Sequence, residues 1–271
     1  MMRTQGQWRY CVLFAFVAAA VLAVALHQPI AQDASYHAFA DRRIVLGIPN
    51  FWNVVSNLAF LLPGMAGLLA LHKNTVSGAL PALNRAYVVF FVGAILICFG
   101  SAYYHLDPDN ATLTWDRLPM TFAFMAFSAI IVGEHVSTRF GRRCLPFLVL
   151  LGISSVVYWR VTEVSDHGDL RPYLLVQFLP MVLLPMMMLL FPPVLSRVHL
   201  MWGVVGAYAA AKVVEVLDER IFDLGILSGH TLKHLVAAGG IWFLVLAVRG
   251  RRPITIGSAA PVSRIGMPSR A

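Results

Sequence analysis

The chain has 271 residues, of which 59% are hydrophobic and 13% charged, with a mean hydropathy of +0.73. A soluble domain carries about 25% charge and about 45–50% apolar residues, so this composition excludes a soluble globular protein and marks an integral membrane protein. The net charge of +8 and the pI near 9.8 do not point to nucleic acid, because membrane chains gather Lys and Arg in cytoplasmic loops.

Eight apolar segments follow one another, at about 9–27, 51–71, 86–105, 118–135, 144–159, 173–191, 199–217 and 230–248. Each is close to the length that about 30 Å of hydrocarbon requires at 1.5 Å per residue, and the fifth needs its flanks to span. The first, "MRTQGQWRYCVLFAFVAAAVLAVAL", reads as a retained helix, although its basic start and apolar run also suit a cleaved signal sequence. Residues 1–31 therefore form an N-terminal segment, 32–250 a helical membrane domain, and 251–271 a Pro-, Ser- and Gly-rich cytoplasmic tail with the composition of disorder. Cys11, Cys98 and Cys144 have no paired spacing, so they make neither a disulfide framework nor a thiolate cluster.

Loop charge sets the orientation. Arg3, Arg9, Lys73, Arg85, Arg139, Arg142, Arg143, Arg197, Arg249, Arg251, Arg252, Arg264 and Arg270 fall on one side; only Arg42, Arg43, Arg117, Arg160, Arg171 and Arg220 fall on the other. That asymmetry predicts an integral inner-membrane protein with both termini in the cytoplasm. The preference for Arg over Lys hints at a bacterial source.

With that orientation fixed, polar residues from three segments reach one depth. The third segment ends on the outer side with "GSAYYH", placing Ser101 and His105 four residues apart on one face. Asp116 stands at the outer entrance of the fourth, where by itself it reads as a helix N-cap with Pro119 in the first turn. The eighth opens with "SGHTLKH", which puts His230 and His234 on one face for the same reason. Three histidines and a carboxylate suffice for a catalytic zinc site, which takes three protein ligands and leaves the fourth position to water. Such a site makes water nucleophilic near neutral pH, a carboxylate relays the proton, and a serine hydroxyl donates to an oxyanion. Spacing alone also permits the bland reading, in which the histidines are interfacial and Ser101 bonds its own helix.

"GSAYYHLDPDNATLTWDRLPM" together with "GHTLKH" resembles the alkaline ceramidase family, multi-pass enzymes related to the adiponectin receptors and Per1-like membrane hydrolases. "NFWNVVSNLAF" (50–60) resembles that family's first core helix, and the likeness extends from about residue 36 to 248. The resemblance implies an all-α fold of seven core helices, with the first segment an addition. It implies zinc on His105, His230 and His234, with Asp116 activating water and Ser101 assisting. The implied substrate is ceramide or a related N-acyl lipid drawn from the bilayer, cut to a fatty acid and an amine. The sequence leaves amide against ester, acyl length and oligomeric state open. One departure concerns calcium: where eukaryotic members carry an acidic calcium-binding stretch, this chain has "YHAFADRRIVLGIPNFWN", with only Asp41 and Asn50 at ligand positions. Calcium takes six to eight oxygens, and two residues fall short of that.

Further polar residues have structural readings. Asn50, Asn53 and Asn57 share a face and suit interhelical hydrogen bonds. Lys212, Glu215 and Asp218 are expected to pair with one another, Lys233 to snorkel to the headgroups, and Glu134 and His135 to lie at the inner interface. "MVLLPMMMLLF" (181–191) reads as a packed or lipid-facing run, with an acyl-chain cavity as the other reading. Two other functions remain on the sequence: a b-type haem protein with histidine axial ligands, and a receptor or transporter whose zinc is structural, with Asp116 as fourth ligand.

Overall fold

The structure, a computed structural model, describes residues 6–73, 78–225 and 227–254. Ten α-helices run through them: α1 (Gln7–Leu26), α2 (Phe51–Val55), α3 (Leu58–His72), α4 (Asn84–Leu106), α5 (Asn110–Ile131), α6 (Thr138–Val164), α7 (Arg171–Leu190), α8 (His199–Val216), α9 (Asp218–Leu224) and α10 (Gly229–Gly250). There is no strand among the described residues, and the protein is an all-α membrane protein. Seven spans are long and apolar enough to cross a membrane, with α2 and α3 forming one of them. The pair α8 and α9, bent by 77° at Leu217, adds an eighth when the two are counted as one span. Leu62, Phe99, Phe147 and Leu150 are exposed on the outside of the bundle, which is where hydrocarbon would cover them.

The eight expected segments are all present, and their limits shift where capping decides them. α5 starts eight residues before the apolar run, because the Asp109 carboxylate accepts from the Thr112 N–H and Thr112 Oγ1 accepts from the Asp109 N–H. That reciprocal cap satisfies two backbone donors which lipid cannot. Asp116 is consequently inside the second turn and is not the N-cap. α6 likewise extends beyond 144–159, from its Ser137 cap to Val164. The expected tail begins later than residue 251: Arg251 is buried, and Ile254 N–H donates to the Val194 carbonyl at 2.9 Å. The remainder of that tail lies outside the described residues, as do Arg3, Arg264 and Arg270.

α5 is the most enclosed span, packed against α4, α6 and α7. α10 packs on α8 and α3, and α4 on α3 and α5. α1 touches α7 and is otherwise open. Two glycines allow the close approaches that position polar side chains. A Cβ on Gly100 would stand 2.1 Å from the Trp115 carbonyl oxygen, so α4 and α5 cross there only because the residue before Ser101 is glycine. A Cβ on Gly229 would stand 2.1 Å from the Val214 carbonyl oxygen, so the same holds for α8 and α10 beside His230.

Candidate metal centre and lipid cavity

The first core span is broken at Ser56 and Asn57, between α2 and α3. A break in hydrocarbon is tolerated only where side chains satisfy the freed backbone. Asn57 Nδ2 and Ser56 Oγ both donate to the Asn53 carbonyl, at 2.7 and 3.2 Å. The polar face this creates meets α10: Thr231 Oγ1 donates to Asn53 Oδ1 at 2.8 Å, and Ser56 Oγ lies 2.8 Å from His234 Nδ1. On the other flank, Asn50 Nδ2 donates to the carbonyl of His105 at 2.9 Å. Asn50 and Asn53 are thus interhelical ties, whereas Asn57 bonds within its own span, and the broken span braces both helices that carry histidines.

The start of α10 is fixed twice over. Ser228 caps it, accepting from the Thr231 N–H. The Asp218 carboxylate accepts from the His230 N–H at 2.6 Å and from the Ala40 N–H at 3.0 Å. A carboxylate at a helix N-terminus satisfies an orphan donor and favours the dipole. Asp218 is therefore committed to the helix start, and the expected pairing of Lys212, Glu215 and Asp218 holds for the first two alone.

His105, His230 and His234 come together, only 1%, 5% and 3% exposed. Their ring centroids are 4.8, 5.0 and 5.1 Å apart pairwise, and one ring nitrogen of each lies within 4.8 Å of the others. His105 Nε2 and His230 Nε2 are 3.3 Å apart. His234 Nε2 is buried without a partner, as is His105 Nδ1. Phe39, from the segment before α2, covers His105 and His230 at centroid distances of 4.7 and 4.6 Å. That segment is held by His37, whose ring nitrogens bond Tyr104 and Asn110 at 2.9 Å each.

Ser101 and Asp116 are buried, on α4 and α5 respectively. Together with His234 they line one end of a cavity of about 170 Å³. Lys212, Glu215, Lys233 and Gln177 also line it, and most of the remaining wall is apolar, including Phe90, Phe127, Leu184 and Ile241. Met181 is also in the wall, so its run serves both readings: Met181 and Leu184 face the cavity, whereas Leu189 is largely exposed.

Three further sequence expectations change. Lys233 does not snorkel; it ion-pairs with Glu215 at 2.8 Å and lines the cavity with Lys212. Glu134, expected at the inner interface, is buried within the protein and bound by Arg251 at 2.6 and 2.7 Å. His135 is buried too, with Nδ1 3.0 Å from the Phe191 carbonyl oxygen. Ser56 and Phe39 are the site neighbours that spacing did not reveal. Ser56 carried one signal, a polar residue in an apolar run.

Outside the spans, two carboxylates are paired with arginines. Burial works against ionised Asp41, yet the Arg43 guanidinium at 2.6 Å holds its carboxyl below the ordinary value. The Arg171 guanidinium, at 2.8 Å, takes Asp169 down to about 2.

Compared with family models, residues 43–248 match the family described as Ceramidase. No curated protein matches the chain. The matched stretch runs from just before α2 almost to the end of α10 and contains every residue that builds the histidine cluster and the cavity's polar end except Tyr36 and Phe39. The chain belongs to the ceramidase family, the membrane amidohydrolases that act on ceramide.

Proposed function

We propose that the protein is a zinc-dependent hydrolase that cleaves the amide of ceramide or a related N-acyl lipid. The observation that carries this reading is the trio of buried histidines, of which His234 lines a largely apolar cavity together with Ser101 and Asp116.

The residues suit the metal. Ser56 Oγ has one proton, and donating it to the Asn53 carbonyl leaves the oxygen to accept from His234 Nδ1–H. That tautomer directs the lone pair of Nε2 away from Ser56, and Nε2 is the buried atom without a partner. The 3.3 Å between the Nε2 atoms of His105 and His230 matches the edge of a tetrahedron. Bonds of about 2.0–2.1 Å place ligand nitrogens about 3.3–3.4 Å apart. Among the described residues the ligand cluster contains three histidines and no fourth side chain, which favours an open catalytic position over a closed structural site. Three rings this close leave no plane for a macrocycle, which disfavours haem.

When bound, zinc would supply Lewis acidity, polarising the scissile carbonyl and making water nucleophilic near neutral pH. The protein's own groups do the rest. The Asp116 carboxylate takes a proton from the attacking water and returns it to the amide nitrogen as the C–N bond breaks, releasing an amine and a fatty acid. The Ser101 hydroxyl donates its proton to the oxyanion that develops on the carbonyl oxygen. The apolar wall holds the acyl chain and keeps bulk water out. Calcium has little support here, since the Asp41 carboxylate is already engaged by Arg43.

We further propose that residues 32–250 form the catalytic domain, that α1 is a retained helix, and that the site faces the outer, periplasmic side of a bacterial inner membrane. The charge asymmetry of the loops supports that orientation. A cysteine placed at Leu46, which is largely exposed, should label from outside; labelling only from the cytoplasm would invert the topology. The decisive measurement is the metal content of purified protein. About one zinc per chain is expected, with little in His105→Ala; an unchanged content in that variant would remove His105 from the ligand set.

A further inference from the structure

The segment between α1 and α2 crosses the end of the bundle at which α10 begins, and it lays Phe39 on the histidines. Phe39 is itself buried, and its ring centroid stands 4.7 Å from that of His105, 4.6 Å from that of His230 and 5.8 Å from that of Tyr104. The backbone is tied on both sides of this residue. Before it, the Leu170 N–H donates to the Ile30 carbonyl at 2.8 Å, Arg117 donates to the Gln32 side chain, and His37 bonds Tyr104 and Asn110. After it, the Ala40 N–H donates to Asp218 at 3.0 Å and Asn53 Nδ2 donates to the Asp41 carbonyl at 3.3 Å. The Phe39 carbonyl accepts from Arg42 Nε at 3.0 Å.

Ordering a connecting segment costs conformational entropy at every residue. Here the cost is met by bonds to several helices, so the ring's place over the histidines is set by the backbone as well as by its own packing. Of the three histidines, only His234 borders the cavity. His105 and His230 do not, and Phe39 lies against both. The cluster is therefore open toward the cavity through His234 and covered by an apolar ring at the other two ligands. A phenyl ring has no donor, acceptor or metal-binding atom, so what it contributes at such a place is exclusion. The apolar shell around a metal site controls solvent access to it. Phe39 also precedes residues 43–248, so the cover comes from a part of the chain outside the stretch that matches the family.

We propose that Phe39 is a positioning residue that seals the metal centre on the side of His105 and His230, so that ligands reach the three histidines only through the lipid cavity. Substrate and water then approach from one side, past Ser101 and Asp116, and the ion is held against exchange with the aqueous phase. The partly exposed lining of the cavity lies mainly on α7 and α8, at Pro180, Met181, Val205 and Ala209, with Tyr36 contributed by the covering segment. Hydrocarbon is the surrounding that such a membrane-spanning wall meets. This assignment rests on the zinc reading of the three histidines and extends it to how the site is reached; it does not depend on which bond is cut.

The test follows zinc transfer from the loaded full-length chain in detergent to a water-soluble chromogenic chelator, and zinc uptake by the metal-free chain, both well below Tm. Phe39→Ala should speed loss and uptake alike by about 10- to 100-fold, the factor set by burying one phenylalanine side chain. Equilibrium affinity should stay near the wild-type value, because a barrier is lowered and no ligand is removed. Phe39→Leu restores apolar bulk and should bring both rates most of the way back. His37→Ala releases the tie to Tyr104 and Asn110 with Phe39 still present, and should give a smaller change of the same sign. Leu113→Ala removes a wholly buried neighbour in the same apolar cluster and should lower Tm without moving either rate. Palmitate, a product of the proposed reaction, occupies the remaining approach, so it should slow zinc loss from the wild type and much less from Phe39→Ala. Unchanged rates in both Phe39→Ala and His37→Ala overturn the assignment, as does equal slowing by palmitate with and without the ring. Faster loss with unchanged uptake also overturns it, since the ring would then support ligand geometry. Faster exchange in Phe39→Ala, with no hydrolysis of any N-acyl lipid by the wild type, would remove the hydrolytic reading and keep the seal. A wild type that binds no zinc would overturn both.

Discussion

The two ends of α10 carry buried polar clusters built on opposite rules. At the Arg251 end, the guanidinium makes a bidentate pair with Glu134 at 2.6 and 2.7 Å and donates to the Gly78 carbonyl at 3.0 Å. The Tyr87 hydroxyl donates to the same carboxylate. No atom of Glu134, Arg251 or Tyr87 is left buried without a partner. At the His230 end, two ring nitrogens are buried without partners and a cavity opens beside them. Both clusters desolvate polar groups. One recovers the cost through protein contacts alone, and the other leaves positions for a ligand. Buried unsatisfied groups in a folded protein call for such an explanation, and here the histidines supply it.

The contrast can be broken by removing one group from each end. The largest effect belongs to Asp116→Asn, which should lower turnover about 10³-fold, within the range for a lost general base, while metal content stays near one per chain. Ser101→Ala should cost less, about 10²-fold, as for one oxyanion donor. Loss of metal in either variant would show that these groups are ligands rather than proton handlers. At the other end Glu134→Ala leaves the Arg251 charge buried and unpaired, so unfolding stability should fall by about 3–5 kcal/mol. Denaturant titration would check this, with kcat of the folded fraction unchanged; a loss of kcat at full stability would mean the two ends are coupled through α10.

Ser56→Ala sharpens the comparison with the smallest effect. Removing the hydroxyl that fixes the His234 tautomer should weaken zinc binding by about 10- to 100-fold without abolishing it. Competition against a chelator measures this directly, and Ser56→Thr should restore most of the affinity. If affinity is unaltered, the Ser56–His234 contact is packing.

Much of the protein was legible in the chain. Apolar runs of membrane length gave all the spans, because hydrocarbon thickness imposes a length that composition shows directly. The 230/234 and 101/105 pairs were legible because a four-residue spacing puts two side chains on one helix face whatever surrounds the helix. Loop charge then brought Ser101, Asp116 and the histidines to one depth, and the structure gathers those same residues. What failed was partner choice. Lys233 looked free to reach the headgroups, yet Glu215 of α8 stands opposite and takes its charge. Glu134 looked interfacial, yet Arg251, more than a hundred residues on, folds back to meet it.

Sequence by itself indicated an all-α membrane protein from its apolar segments, which follow from local composition, and its resemblance to the ceramidase family proposed Ser101, His105, Asp116, His230 and His234 as the site. Only the tertiary structure decided which nitrogen of His234 is free, that Phe39 covers the cluster, and that Lys212, Lys233 and Glu215 share the cavity with it. The reason is physical: a helix fixes the direction of its own side chains, but the partners they meet depend on how close neighbouring helices come. Here that closeness rests on Gly100 and Gly229, where any larger residue would hold the helices apart.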